Sequence, residues 1–191
     1  TNHGVLKTNN ILSTFQHGFR CDFSTITQLT EFVHDISNSL DIGDQVDTIF
    51  IGFAKAFDTV PHPKLLHKLF VILKNASIVG WISDFLLQHS QYVCFNYTNS
   101  HSMPVLSGVP QGSVLGPLLF LLYINYLPLH TYVKILLFSD DCIFYHAVKS
   151  PLDHANRNNS FFNFYSRFKS WEMNINFSKT VIMSFPDVHA R

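Results

Sequence analysis

The stretch VKILLFSDDCIFYHAV, residues 133–148, decides the fold because two strand-like runs are separated only by Asp140 and Asp141. Both runs are rich in β-branched and aromatic residues, and so short a connection predicts a tight hairpin. Two carboxylates then stand together at the hairpin tip, where like charges repel. A divalent cation would remove that repulsion, and Mg²⁺ prefers carboxylate oxygens, but a solvated acidic turn is the commoner explanation of an isolated Asp-Asp pair.

Around this hairpin, helices and strands follow one another without a regular βαβ repeat, which favours an α+β fold over a doubly wound sheet. The strands at 91–97 and 102–108 are expected to pair around a polar turn from Thr98 to His101. From hydrophobic spacing and turn residues, helices are predicted at 24–40, 63–73, 78–88, 114–126 and 152–172, and strands at 46–53, 91–97, 102–108, 133–139, 142–148 and 180–185.

Composition restricts the class of protein. The 191 residues suit one domain, and a hydrophobic content of 47% with 15% aromatic residues predicts a folded core. The formal net charge of zero gives no support to nucleic-acid binding, although it can hide a local basic groove. The three cysteines form no metal-ligand pattern. The longest apolar stretch, 114–129, is broken by Pro117 and Pro128 and is shorter than the ~20 residues of a membrane span, so a buried helix is expected.

Two further segments have the residue types of a binding site. In SGVPQGSVLGPLLF, 107–120, glycines precede an apolar helix and would let backbone approach a nucleotide or a template strand closely. In FAKAFDTVPH, 53–62, Phe57 follows the end of a predicted strand, where active-site residues often lie. Taken alone, the first is equally well an ordinary loop and helix start, and Phe57 is more readily a core residue.

Together the segments resemble the reverse transcriptases of non-LTR (LINE-type) retrotransposons, in that family's order and approximate spacing. The resemblance implies a right-hand polymerase palm, an antiparallel sheet backed by helices, at about 46–61 and 101–191. Partial fingers are expected at about 1–45 and 62–100, and the thumb is expected to be absent. The resemblance rests on five segments: QHGFR (16–20), FAKAFDTVPHPKLLHKL (53–69), SGVPQGSVLGPLLFLLYIN (107–125), FSDD (138–141) and WEMNINFSKT (171–180).

The same resemblance implies DNA synthesis on an RNA template from a DNA primer, with deoxynucleoside triphosphates and two Mg²⁺ ions, in an intracellular protein of the nucleus and cytoplasm. Asp140, Asp141 and the backbone carbonyl of Phe53 match the metal ligands. Phe57 matches the aromatic residue that excludes a 2′-hydroxyl, and Gln111 and Gly112 match the loop that contacts nucleotide and template. Arg20 resembles a residue that grips the triphosphate, and Lys179 resembles a lysine that protonates the departing pyrophosphate.

Position 52 departs from the family pattern, because Gly52 stands where the first metal-binding aspartate is expected. Asp47 cannot replace it, since five residues of strand span ~16 Å and an odd separation points its side chain to the other face. Asp58 already belongs to the motif itself. We therefore expect severe or complete loss of polymerase activity, and two alternatives remain: a non-catalytic nucleic-acid-binding relic, or a non-functional translated fragment.

Overall fold

The computed structural model describes residues 11–127 and 133–186. They form two compact units: the first unit consists of the described residues up to Ala54 and from Ile124 onward, and the second unit is Lys55–Tyr123. The helices are α1 (Thr25–Asp41), α2 (His62–Leu73), α3 (Ala76–Leu87), α4 (Leu115–Ile124) and α5 (Pro151–Ser170). The strands are β1 (Gln45–Phe53), β2 (Ser90–Gln91), β3 (Cys94–Phe95), β4 (Thr98–Asn99), β5 (Met103–Pro104), β6 (Lys134–Phe138), β7 (Asp141–Val148) and β8 (Ile175–Phe185).

The first unit is built on a four-stranded antiparallel sheet in the order β6-β7-β1-β8. Strands β6 and β7 form the predicted hairpin, with Phe138 opposite Asp141 and the turn between them at Ser139 and Asp140. Strand β8 begins at Ile175, so the prediction of a last strand from residue 180 placed its start too late. The polar residues Asn176 and Ser178 concealed the first half of that strand, because they interrupt the apolar pattern on which the prediction relied.

Helix α1 packs on one face of this sheet. Ser24 caps its N-terminus: the Ser24 hydroxyl accepts a hydrogen bond from the Thr27 backbone amide, and the Thr27 hydroxyl accepts one from the Ser24 amide. Its buried side chains Phe32 and Ile36 join a core cluster with Val46, Leu136, Ile143 and Tyr145. Even-numbered residues of β1 therefore face α1.

Helix α5 covers the opposite face with a run of aromatic rings. Phe168 lies 4.4 Å from the Phe53 ring, and Phe164 lies 5.8 Å from the Phe144 ring, both measured between centroids. The sheet is thus backed by a helix on each side, which agrees with the predicted α+β class and buries the odd-numbered residues of β1.

The second unit contains α2, α3, most of α4 and two small ladders. Here the predicted pairing of 91–97 with 102–108 is confirmed only where Gln91 pairs with Met103, and the predicted turn from Thr98 to His101 is wrong. Strands β2 and β5 form one ladder, while β3 pairs with β4 across a turn at Asn96 and Tyr97, with φ of 46° and 59°. A two-residue turn with both φ values positive suits the twist of a short hairpin, and asparagine tolerates this conformation well.

Helix α4 is buried as predicted, and the side chains of Leu119, Phe120 and Leu121 are at most 1% exposed. Within the described ranges, no helix has both the length and the apolar character needed to cross a membrane.

Candidate functional site

The acidic pair lies at one end of the first unit's sheet. Antiparallel pairing of β1 with β7 places Gly52 directly opposite Asp141. The backbone amide of Phe53 donates a hydrogen bond to the Asp140 carbonyl over 3.4 Å, which joins the end of β1 to the hairpin turn. The positions predicted from the sequence to hold metal therefore do meet at one place.

Position 52 faces this acidic pair. A Cβ built on Gly52 would lie 3.9 Å from Oδ1 of Asp141 and 3.2 Å from Cβ of Lys179. The second contact requires the neighbour to move by a few tenths of an ångström, and Gly52 has no positive φ that would exclude other residues. A carboxylate at position 52 would thus stand beside Asp141, where the family pattern places it.

Lys179 reaches this place through an irregularity in β8. Phe50 pairs with Val181 but Gly52 pairs with Asn176, so β8 carries extra residues between these two contacts. The side-chain oxygen of Asn176 accepts hydrogen bonds from the amide and the hydroxyl of Ser178, at 3.1 and 2.7 Å. This bulge carries Lys179 over Gly52.

The surroundings of Asp141 disfavour the ionised form of its carboxyl group. Burial raises the pKa of Asp141 above its ordinary value, the neighbouring Asp140 charge raises it further, and the Lys179 ammonium opposes both effects. An elevated carboxyl pKa means that the ionised form is destabilised, and a nearby positive charge relieves this.

A cavity of about 340 Å³ adjoins the pair within the first unit. It is bounded by the first turns of α1 and by the sheet, and its lining includes Gln28, Phe50, Gly52, Asp141 and Lys179. Apolar walls with a few polar groups are typical of ligand sites, and Asp141 borders this accessible space.

Asp47 does not contribute to this site. Its carboxylate is 3% exposed and accepts hydrogen bonds from Ser184 at 2.6 Å, from Gln45 at 2.8 Å and from Arg157 of α5. These contacts lie on the α5 face, as the odd spacing from residue 52 predicts. Burial raises the pKa of Asp47, but the hydrogen bonds and the Arg157 charge bring it below its ordinary value.

The donor set near Gly52 consists of two carboxylates. Residues 11–127 and 133–186 contain no group of three or more His, Cys, Asp or Glu side chains placed to hold a metal ion. Asp140 and Asp141 offer the hard oxygen ligands that Mg²⁺ prefers and fit one divalent cation. They do not fit a two-ion site, because a bridging carboxylate at position 52 is missing.

Three of the sequence-predicted nucleotide residues, Phe57, Gln111 and Gly112, lie in the second unit. Phe57 is half-buried and stacks on Phe120 with 4.3 Å between ring centroids. Gln111 is exposed, and its amide donates to Oδ1 of Asp58 over 2.6 Å, so Asp58 already has a partner. Gly112 has φ of 83° and open space around the position of a Cβ.

The loop that carries Gln111 is anchored by His62, which the sequence reasoning missed. Its Nε2 is 2.8 Å from the carbonyl of Gly108, and the Gly108 amide donates to Val60 over 2.8 Å. His62 is the last residue of the FDTVPH segment, and this position in the motif was the one feature of the sequence that could have indicated a role for His62. These loops border a cavity of about 660 Å³ within the second unit, lined in part by Lys55 and Gln111.

Arg20 is engaged within its own segment of the first unit. Nη1 donates to the carbonyls of Ser13 and Gln16 at 2.5 and 3.1 Å, and the guanidinium lies 4.2 Å from the centroid of the Phe23 ring. The predicted contact with a triphosphate stays a prediction.

Comparison with known proteins agrees with this geometry. Residues 2–189 match the model of the family described as reverse transcriptase (RNA-dependent DNA polymerase). A probable RNA-directed DNA polymerase from transposon X-element of Drosophila melanogaster is 32% identical over 92% of this chain, and the RNA-directed DNA polymerase from mobile element jockey of the same species is 28% identical over 90%. The chain spans 20% of the length of each of these two relatives.

Among solved structures, a telomerase from Candida tropicalis, in complex with a fragment of telomeric RNA, superimposes with a TM-score of 0.69 over 99% of this chain and 32% of its own. At 13% identity this likeness concerns the fold alone. The Drosophila relatives are polymerases of a transposon and a mobile element, which agrees with the resemblance to non-LTR retrotransposons, and the match over residues 2–189 shows that the chain belongs to the reverse transcriptase family.

Proposed function

We propose that this chain is the RNA-directed DNA polymerase domain of a non-LTR retrotransposon and that Gly52 leaves it without polymerase activity. The observation that carries the proposal is the geometry of position 52, whose Cβ would point at Asp141 from a distance of 3.9 Å. The scaffold therefore keeps the place of a third carboxylate although the carboxylate itself is absent.

The proposed partners are an RNA template, a DNA primer and deoxynucleoside triphosphates, in the nucleus and cytoplasm. Asp140 and Asp141 would hold a divalent cation, with the Phe53 carbonyl as a further oxygen donor. Bound divalent cations supply charge neutralisation at the phosphoryl group and activation of the attacking hydroxyl. The division into palm and partial fingers stays a prediction, since compact units reflect packing and not roles in a polymerase.

The chain's own residues have separate proposed tasks. Lys179 lies over Gly52 and near Asp141, a position from which an ammonium could supply a proton to a leaving phosphate. In the second unit, the Phe57 ring is fixed by stacking on Phe120, and such a fixed ring can reject a 2′-hydroxyl by its position. Gln111 is oriented by Asp58 and would contact the nucleotide or the template.

Primer extension tests the proposal with three proteins: the parent chain, Gly52→Asp and Gly52→Asn. Asparagine has nearly the same shape as aspartate but no charge, so it controls for filling the space. We expect extension only from Gly52→Asp, with RNA template, DNA primer, deoxynucleoside triphosphates and Mg²⁺. Extension by the parent at a rate close to that of Gly52→Asp would refute the claim of inactivity, and inactivity of all three would show that Gly52 is not the deciding lesion.

A second candidate function is nucleic-acid binding without chemistry. It is favoured by the second unit, in which the loop of Gln111 stays anchored through Asp58 and His62 although the acidic set of the first unit is incomplete. Binding of the parent to a labelled template–primer, with no extension, would select this function, and the slope of affinity against salt would report its phosphate contacts.

A further inference from the structure

The QHGFR segment lies against the turn that carries the acidic pair. The amide of His17 donates to the Leu137 carbonyl and the amide of Leu137 donates to the Phe15 carbonyl, each over 2.8 Å. This is a parallel bridge between Gln16 and Leu137 at the edge of β6. The last residues of β6 are therefore held from outside the hairpin as well as by β7.

The side chain of Gln16 holds the turn itself. It is 2% exposed, and its Oε1 accepts hydrogen bonds from the amides of Gly18 at 2.7 Å and Ser139 at 3.0 Å. Because both partners are donors, the atom they share must be the amide oxygen. Ser139 has φ of 57°, a left-handed conformation that a serine does not favour, and it directly precedes Asp140.

Two other residues of the motif support this contact. A Cβ at Gly18 would lie 2.4 Å from the Ser139 amide nitrogen, so the close approach requires glycine. Arg20 bonds the carbonyls of Ser13 and Gln16, which closes the segment on itself. The spacing of Gln16, Gly18 and Arg20 within the motif thus has a physical explanation that does not involve a nucleotide.

We propose that residues 15–20 form a brace for the acidic turn and that Gln16 is a positioning residue that sets the direction of Asp140 and Asp141. The inference rests on the proposed function, in which this pair holds a divalent cation. Carboxylate ligands act together only when they are held within about 0.5 Å of the required geometry, and a residue in an unfavoured conformation needs such external support.

Amide hydrogen exchange tests the brace without any metal. Gln16→Met keeps the length of the side chain but removes the acceptor, Gln16→Glu keeps the acceptor, and Ile36→Ala is the control because it weakens the core of the same unit away from the turn. We expect Gln16→Met to accelerate exchange selectively at the Gly18 and Ser139 amides and Gln16→Glu to restore part of the protection. Acceleration spread over the whole unit, as in Ile36→Ala, would overturn the proposal.

Mn²⁺ affinity, measured by electron paramagnetic resonance in the Gly52→Asp background, tests the effect on the acidic pair. Removing the acceptor should weaken binding by about 10-fold or more, the usual effect of losing a group that orients a ligand. Ile36→Ala should leave the Mn²⁺ affinity unchanged, when it is compared with the Gly52→Asp protein at a temperature where both are folded. Unchanged affinity in Gln16→Met, or an equal loss in Ile36→Ala, would overturn the positioning role.

The two readouts separate failure of the inference from failure of the proposed function. If Gly52→Asp itself binds no Mn²⁺, the proposed function is refuted. In that case, faster amide exchange confined to Gly18 and Ser139 in Gln16→Met would still support the brace as a structural support of the turn. Faster exchange over the whole unit would overturn the brace as well.

Discussion

Restoring a carboxylate at position 52 should make the stability of the first unit depend on divalent cations. In the parent chain, Asp140 and Asp141 repel one another with Lys179 nearby to compensate. Gly52→Asp adds a third negative charge to the same place, whereas Gly52→Asn adds a side chain of the same shape without charge. The difference between these two variants isolates the charge, because the contact with Cβ of Lys179 is common to both.

The magnitude follows from the geometry. With Cβ of residue 52 at 3.9 Å from Oδ1 of Asp141, the two carboxylates would be separated by about 5 Å. Since Asp141 is only partly buried, an effective dielectric constant of about 40–80 applies, and the repulsion between these two carboxylates is about 1–2 kcal/mol. For a protein of this size that corresponds to a Tm about 2–8 °C lower for Gly52→Asp than for Gly52→Asn in the presence of a chelator.

Mg²⁺ or Mn²⁺ should reverse the order of the two variants. A ligand at about 100 times its Kd stabilises the folded state by about 2.7 kcal/mol, which exceeds the repulsion. The assay is thermal unfolding followed by circular dichroism at pH 7, with chelator or with a series of cation concentrations. Equal Tm values for the two variants in chelator, or an equal gain from the cation, would refute the assignment of position 52 to the acidic site.

Three further perturbations test the packing. Arg157→Met should destabilise the first unit by about 2–3 kcal/mol in urea unfolding, because the buried carboxylate of Asp47 then loses a cation and keeps only its neutral donors. Arg157→Lys, which retains the positive charge, should destabilise it by less. A stability of Arg157→Met equal to that of the parent would contradict this. Burial lowers the pKa of Lys68 to about 8, so between about pH 8 and 10 the unfolded state binds more protons than the folded state. The stability of the parent should therefore rise relative to that of Lys68→Met over this pH range. A stability difference between the two proteins that does not change with pH would contradict the lowered pKa. Gly108→Ala should lower the Tm strongly, since φ at Gly108 is 89° and a Cβ there would meet backbone atoms at 2.8 Å. Gly80→Ala in α3 should raise the Tm through a gain of about 0.5–1 kcal/mol, because a Cβ at this position meets nothing within 4 Å. A similar Tm for both variants would refute backbone strain at position 108.

The sequence predicted those parts of the site that depend on local pattern. The hairpin around Asp140 and Asp141 followed from two apolar runs and a connection too short for anything else, and β7 carries Asp141 in register with Gly52. The odd spacing of Asp47 also placed its side chain correctly on the other face, because side-chain direction in a strand alternates strictly.

What the sequence did not predict depends on one unfavoured turn conformation and on long-range contacts. The hairpin turn lies at Asn96 and Tyr97 and not at Thr98 to His101, because the sequence gives no clear indication that a tyrosine adopts a positive φ. The bulge in β8 and the contact of Gln16 with Ser139 join residues distant in the chain, and neither hydrophobic period nor turn composition reports such contacts. Recognition of the motifs identified the relevant segments but not the hydrogen bonds between them.

The structure explains how the proposed loss of activity through Gly52 can leave the fold unchanged. The acidic turn is held by Gln16, by the end of β6 and by the Phe53 amide, and none of these contacts uses the side chain of residue 52. Glycine at that position loses no buried contact and adds no third negative charge beside the acidic pair, so the proposed loss of catalysis should come at little cost in stability. Selection on stability alone would therefore not oppose Gly52, whereas a change at Gln16 or Gly18 would disturb the turn whether or not the protein still bound a cation.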